Sequence, residues 1–242
     1  MDTGVNIKKE PLGNGFFAYV SKSHTFGTDA VLLADFAKTK KVKTHCDLGT
    51  GCGIIPLLLL RDSVTEQSVG VEISDEAVSL AEKSANDKFA VLHSDLKDLK
   101  GKLPFGTFDL VTCNPPYKAD GAGIKSRSQR DIVARHETMC TLEDVIETSS
   151  KLLKSSGNLC LCQRPERLGD IICLMRKYKV EPKRIRIVCK KTGEEPWLVL
   201  VEGKRDAKSG VRILPPLFVY DEKGNLSSEM LEIYGPYKEG HI

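Results

Sequence analysis

His45-Cys46-Asp47-Leu48-Gly49-Thr50-Gly51-Cys52-Gly53-Ile54-Ile55-Pro56-Leu57-Leu58-Leu59-Leu60 reads as strand, turn and helix in succession. His45 to Leu48 is a short strand. Gly49 to Gly53 is a turn that only small residues make, and Ile54 to Leu60 opens a helix that tolerates Pro56 in its first turn. The alternation continues downstream. Val69 to Glu72 is a second strand ending in a carboxylate, and Asp75 to Ala85 is a helix with Ala77, Val78, Leu80, Ala81 and Ala85 mainly on one side. Ala90 to His93 is a third strand, followed by Ser94-Asp95-Leu96. Phe108 to Cys113 is a fourth, and it delivers Asn114.

Beyond this block, Leu142 to Leu153 and Glu166 to Tyr178 read as helices around a fifth strand, Leu159 to Cys162. Lys183 to Cys189 and Trp197 to Val201 form a final antiparallel pair around Gly193, and Ser227 to Tyr234 is a short terminal helix. Upstream, residues 1–20 suggest a hairpin or extended arm around Pro11, Gly13 and Gly15. Ala30 to Ala37 is a short buried helix that Thr28 or Asp29 is placed to cap. Strands alternating with helices predict an α/β fold: a doubly wound, Rossmann-like, seven-stranded, mostly parallel sheet with a final antiparallel strand. Residues 1–40 are expected as an arm and helix packed on a domain formed by residues 41–242. Ligands in such a fold lie at the carboxyl ends of the strands.

The 242 residues are 40% hydrophobic and 29% charged, an ordinary globular balance, with a net charge of only +3. Nucleic-acid affinity would therefore need a local patch. The eight cysteines show no CxxC spacing, so no metal site is expected. Most lie in apolar runs, as buried thiols do. Cys160 and Cys162 are expected on opposite faces of their strand. The longest aliphatic run, Ile54 to Leu60, is far too short to span a bilayer, and the N-terminus has no apolar signal region. A reduced, cytoplasmic protein without a membrane segment is expected.

A glycine turn followed about twenty residues later by an acid fits several nucleotides. Here the last glycine of a dinucleotide fingerprint is replaced by Ile54, and no Lys-Ser or Lys-Thr follows to make a P-loop. What remains is a shelf for a ligand without pyrophosphate. Glu72 can accept from two ribose hydroxyls and Asp95 from an adenine amino group; alone, each reads equally as a solvated loop carboxylate. Asn114-Pro115-Pro116-Tyr117 is at least a rigid turn, because proline cannot extend a strand ladder. It also sets an Asn side-chain carbonyl beside a Pro carbonyl, two acceptors suited to one planar NH2 group, next to an aromatic face.

Asp47 to Gly53, Glu72, Asp95 and Asn114 to Tyr117 resemble the successive motifs of class I S-adenosylmethionine-dependent methyltransferases. Asn-Pro-Pro-Tyr is the form used on planar exocyclic or amide nitrogens. Phe26-Gly27-Thr28-Asp29-Ala30, Arg135-His136-Glu137, Tyr220 to Gly224 and Tyr234-Gly235 further resemble the bacterial tRNA (adenine-N6)-methyltransferases that act beside the anticodon of a valine tRNA. The resemblance runs from about residue 15 to 235. It departs at Lys118, where an aromatic or apolar residue is expected.

The resemblance implies S-adenosylmethionine as cofactor, held by Thr28, Asp29, Asp47, Gly49, Gly51, Gly53, Glu72, Ile73, Asp95, Leu96 and Asn114. It implies Asn114, Pro115, Pro116 and Tyr117 as the catalytic group. The partner is tRNA, with no obligate protein partner evident. Lys118, Lys125, Arg127, Arg130, Arg135 and His136 are the expected RNA contacts; most lie in the basic, apolar-poor loop from Lys118 to Arg135, expected to be mobile. A second cluster, from Arg176 to Lys191, is either an RNA surface or a solvated face.

Three rivals share these features. A protein-glutamine methyltransferase carries a separate N-terminal helical domain, for which some forty residues before the first strand are too few. An enzyme acting on exocyclic amines of rRNA would share the chemistry. A catalytically silent RNA-binding module would be expected to lose the glycines or Asn114, and both are intact.

Overall fold

A computed structural model describes residues 7–115 and 140–237. The chain opens with a hairpin, β1 (Lys8–Gly13) and β2 (Phe16–Val20), turned by Asn14 and Gly15 at φ 50° and 79°. Two consecutive positive φ values define the turn that matches strand twist, and Asn-Gly is the pair that adopts them most readily. Leu12, Ala18 and Val20 face the core, and Arg61 donates to the Leu12 carbonyl (2.8 Å).

α1 (Thr28–Phe36) follows, and its apolar residues, Ala30 to Ala34 and Phe36, are all buried. Its N-cap is Gly27, with no side-chain cap. Of the two expected capping residues, Asp29 Oδ1 accepts from the first-turn Ala30 N (3.0 Å), while the Thr28 hydroxyl bonds Tyr234 Oη (2.9 Å) instead.

The main sheet contains β3 (Val42–Leu48), β4 (Thr65–Glu72), β5 (Phe89–His93), β6 (Phe108–Cys113), β7 (Leu153–Gln163), β8 (Val180–Cys189) and β9 (Pro196–Arg205). Two-residue strands β10 (Arg212–Ile213) and β11 (Leu217–Phe218) lie along β8. The order is β10-β8-β9-β7-β6-β3-β4-β5. The sheet is parallel from β5 to β7, and β9 runs antiparallel to both β7 and β8. The sheet therefore has nine strands where seven were expected; the two extra ones, two residues each and beside Pro215 and Pro216, carry no periodic signal.

Helices α2 (Ile54–Arg61), α3 (Asp75–Ser84), α4 (Leu142–Leu152) and α5 (Leu168–Lys177) connect the strands, and α6 (Ser228–Tyr234) closes the chain. They cover two apolar cores. One joins the hairpin, α1, α2 and α6; the other lies under α4 and α5. Among the described residues no helix is long and apolar enough to cross a membrane.

Chain order reverses beside β3: β4 and β5 extend the sheet one way, β6 and β7 the other. Loops leaving β3 and β6 must therefore part, which opens a crevice at their carboxyl ends.

Candidate active site

The crevice is a cavity of about 320 Å³, the lower end for small-molecule sites. Gly49, Glu72, Ile73, Asp95, Leu96, Asn114 and Pro115 all line it, so the expected strand-end residues converge. Gly49, Gly51 and Gly53 have φ of 69°, 57° and 83°, conformations that L side chains rarely adopt. Their environments differ. A Cβ on Gly49 or Gly51 would meet nothing within 4 Å, whereas one on Gly53 would strike the Phe89 ring at 2.7 Å. Gly53 therefore allows α2 to approach β5, and does not face the cavity.

Glu72 is held by three backbone N–H groups: Gly51 on Oε2 (2.9 Å), and Ile73 (2.8 Å) and Ser74 (2.9 Å) on Oε1. A carboxylate offers about four lone-pair sites, so these bonds leave roughly one for a ligand where the sequence reading foresaw two hydroxyls. Asp95 accepts from Lys97 N (2.9 Å) and stays partly exposed at the rim.

Asp47 lies beneath the cavity, 1% exposed. It ends a buried hydrogen-bonded row across three strands. Ser68 Oγ meets His45 Nδ1 (3.1 Å), His45 Nε2 meets Thr112 Oγ1 (2.8 Å), and Thr112 donates to Asp47 Oδ1 (2.5 Å). Thr112 has one hydrogen and gives it to Asp47, so His45 Nε2 must carry the proton and Nδ1 must accept from Ser68. Burial pushes the His45 imidazole down to about 3. It pushes the Asp47 carboxyl up to about 7, against the opposing effect of the Thr112 and Thr50 hydroxyls. Asp47 Oδ2 and Thr50 Oγ1, flanking the glycine turn, are buried without a hydrogen bond of full geometry, although the Thr50 hydroxyl lies near enough to favour the ionised carboxylate.

Asn114 follows the last residue of β6, and its amide is gripped from both ends. Nδ2 donates to Asp29 Oδ2 (3.1 Å), and Oδ1 accepts from the Cys162 thiol (3.0 Å). Asp29 anchors itself on Ala30 N (3.0 Å). A carboxylate only accepts, so Asp29 fixes which end of the amide carries the carbonyl. Cys162 corrects the expectation of opposite faces. Residues two apart in a strand share a face; Cys160 and Cys162 enter one core while Leu161 enters the other. Pro116, Tyr117 and the basic-loop residues Lys118, Lys125, Arg127, Arg130, Arg135 and His136 lie outside the described residues.

Sequence reasoning did not single out His24 and Thr25, which also line the cavity. Ser21 and Ser23 donate to Glu76 Oε1 (2.7 and 2.6 Å), tying their segment to the first turn of α3 and holding the Glu76 carboxyl below its usual range. His24 Nε2 lies 3.4 Å from Ser74 Oγ. The signal was their position just before Phe26-Gly27-Thr28-Asp29. The second basic cluster is partly neutralised: Arg176 pairs with Glu181, Lys177 with Glu143, Arg184 with Glu202 and Arg186 with Glu229.

Comparison with known proteins agrees with this architecture. A predicted O-methyltransferase from Agrobacterium tumefaciens superposes with a TM-score of 0.69 at 22% identity, over 86% of this chain and 95% of its own. A geranyl diphosphate C-methyltransferase from Streptomyces coelicolor, solved with S-adenosyl-L-homocysteine, superposes at 0.54 and 14% identity over 73% and 76%. At these identities the likeness is one of fold. In sequence, a tRNA1(Val) (adenine(37)-N6)-methyltransferase of Porphyromonas gingivalis is 29% identical over 225 residues, 87% of each chain. Proteins of the same name from Parabacteroides distasonis and Proteus mirabilis are each 30% identical, covering 73% and 79% of this chain and 75% and 79% of their own. Residues 17–172 match the family model of the methyltransferase small domain, and the chain belongs to that family.

Proposed function

We propose that this chain transfers a methyl group from S-adenosylmethionine to the exocyclic N6 of an adenine in tRNA, beside the anticodon, in the cytoplasm. The observation that carries this reading is that Asn114 and Pro115 share one cavity with Gly49, Glu72 and Asp95.

The residues suit the cofactor. The turn is open at Gly49 and Gly51, and the unpartnered Asp47 oxygen beneath it suits the ammonium end of an amino acid. Glu72 keeps room for one ribose hydroxyl, with Ile73 beside it. Asp95 and Leu96, one strand further out, are assigned to the adenine. Thr28 bonds Tyr234 and Asp29 bonds Asn114, so both support the site from behind. When bound, S-adenosylmethionine supplies a methyl on a sulfonium, which is its own leaving group.

An adenine amine is a poor nucleophile because its lone pair is delocalised into the ring. Asn114 Oδ1 and the Pro115 carbonyl accept its two hydrogens and draw the lone pair out of the ring plane. Asp29 and Cys162 hold the Asn114 amide for this, so little reorganisation is needed when the base arrives. Both acceptors are neutral, so the proton shed by the methylated nitrogen passes to water. Tyr117 stacks on the base, and Lys118, Lys125, Arg127, Arg130, Arg135 and His136 are assigned to RNA. The base must be unstacked to enter, which is easiest in a single-stranded loop.

Asn114→Ala should lower the rate of methyl incorporation into tRNA by about a hundred- to a thousandfold, the usual cost of one preorganised group. Calorimetry should find cofactor binding retained. A near wild-type rate would remove the reading's main support. Asn114→Asp alone should also be poor, because it sets a second carboxylate against Asp29, and Asp29→Asn should partly rescue it.

A further inference from the structure

We propose that a cation-lined cavity near the amino ends of the strands holds backbone phosphates of the tRNA substrate, remote from the target base. This rests on the tRNA reading above. The cavity, about 520 Å³, is lined by Lys40, Lys183, Arg184, Lys204 and Arg212 against a single carboxylate, Glu202. That carboxylate is already engaged. Arg184 binds Glu202 through Nε (2.6 Å), and Asn158 Nδ2 donates to it (3.0 Å). Lys183 donates to the Lys208 carbonyl (3.1 Å), a neutral acceptor, and among the described residues pairs with no carboxylate. Among the described residues, Lys40, Lys204 and Arg212 have no carboxylate within ion-pair distance, unlike Arg176, Lys177 and Arg186.

Four like charges around one hollow repel each other and raise a local potential that an anion relieves. The cations come from four separate segments: the run before β3, the first half of β8, the end of β9, and β10. They are therefore gathered by tertiary structure, not by a run in the sequence. Lys40 precedes Leu48 by eight residues and Lys183 precedes Cys189 by six. At about 3.3 Å per residue the cavity lies roughly 20–26 Å from the carboxyl edge of the sheet. A small nucleotide at the catalytic cavity cannot reach it. A folded tRNA, a polyanion longer than the sheet is tall, can run down the β8 side and present phosphates there while its anticodon loop occupies the catalytic edge.

The test compares full-length tRNA with a fragment carrying only the anticodon stem and loop. Lys183→Gln/Lys204→Gln/Arg212→Gln should weaken full-length tRNA about tenfold or more at low salt. It should also reduce the log–log salt slope by about 2–3, since each phosphate contact contributes roughly 0.7–0.9. Methylation of the fragment should stay at the wild-type rate. Lys40→Gln/Arg212→Gln, at two exposed positions, gives a milder version that does not threaten folding, and cofactor calorimetry checks both proteins. An unchanged affinity and slope on full-length tRNA would overturn the assignment, as would an equal loss on the fragment. If the wild-type protein neither binds nor methylates tRNA, the assignment and the reading beneath it both fall.

Discussion

Ser68, His45, Thr112 and Asp47 form a buried polar row across β4, β3 and β6; Asn158, Glu202 and Arg184 form another across β7, β9 and β8. The second is built around an ion pair, and its one buried atom without a hydrogen-bond partner among the described residues is the neutral Asn158 Oδ1. Arg184 meets Glu202, stacks on Phe36 at 4.4 Å and donates to the Phe36 carbonyl (2.8 Å). The first has no cation. Its imidazole is neutral, its carboxyl is held up by burial, and it ends in unpartnered oxygens at the glycine turn. One cluster fastens strands together, and the other ends where a ligand is expected. Substitutions should separate these two jobs.

The largest effect is expected in the ion pair. Glu202→Leu leaves the Arg184 charge and the Asn158 amide unpaired, and should destabilise the fold by about 3 kcal/mol, the low end for breaking a buried pair because Arg184 keeps some exposure. Cofactor affinity of the folded protein should not change. Adding Arg184→Met should recover much of the loss. Denaturant titration and calorimetry read the two quantities separately, and a loss of cofactor affinity would make the clusters functionally alike.

Thr112→Val comes next. It removes the hydroxyl joining His45 to Asp47 without changing shape much, and orphans one donor and one acceptor. About 2 kcal/mol of stability should go. Here cofactor affinity should also fall, because Asp47 loses the bond that fixes its orientation. If affinity is retained, Asp47 serves only as a strut.

The difference between the clusters also marks how far sequence reading reaches. The glycine turn, Glu72, Asp95 and Asn114 were legible because each is a local event: a strand stopping, a turn needing positive φ, a proline ending a ladder. His45 looked like one more strand residue, since its partners Ser68 and Thr112 stand 23 and 67 positions away and meet it only through register. The same holds for Arg184, whose carboxylate is 18 residues on. The amino-terminal half of β7, Lys154-Ser155-Ser156-Gly157, has no apolar alternation, so the strand read as starting at Leu159 when it begins at Leu153. Cys162 was misplaced by a slip in periodicity, which hid its contact with Asn114.

The smallest effect is a slope, and it tests the row most directly. Burial takes His45 from 6.5 to about 3 and Asp47 from 3.8 to about 7. At pH 5 the unfolded chain therefore carries a proton on His45 and none on Asp47, and the folded chain carries one on Asp47 and none on His45. The proton count is the same, so between about pH 4 and 6.5 the pair adds almost no pH dependence to stability. Each single substitution should expose the hidden half. In His45→Gln, Asp47 remains with a raised folded value; its contribution is full below about 3.8 and is lost as pH rises towards 7. Stability should fall, relative to wild type, by up to about 1.4 kcal/mol per pH unit. In Asp47→Asn, His45 remains with a depressed value; its contribution is full above about 6.5 and is lost as pH falls towards 3, so the slope has the opposite sign. Urea titrations of the three proteins from pH 4 to 7 give the difference directly. Two variants that both follow the wild-type profile would mean that neither group changes protonation on folding, and the row would be no different in kind from the ion pair beside it.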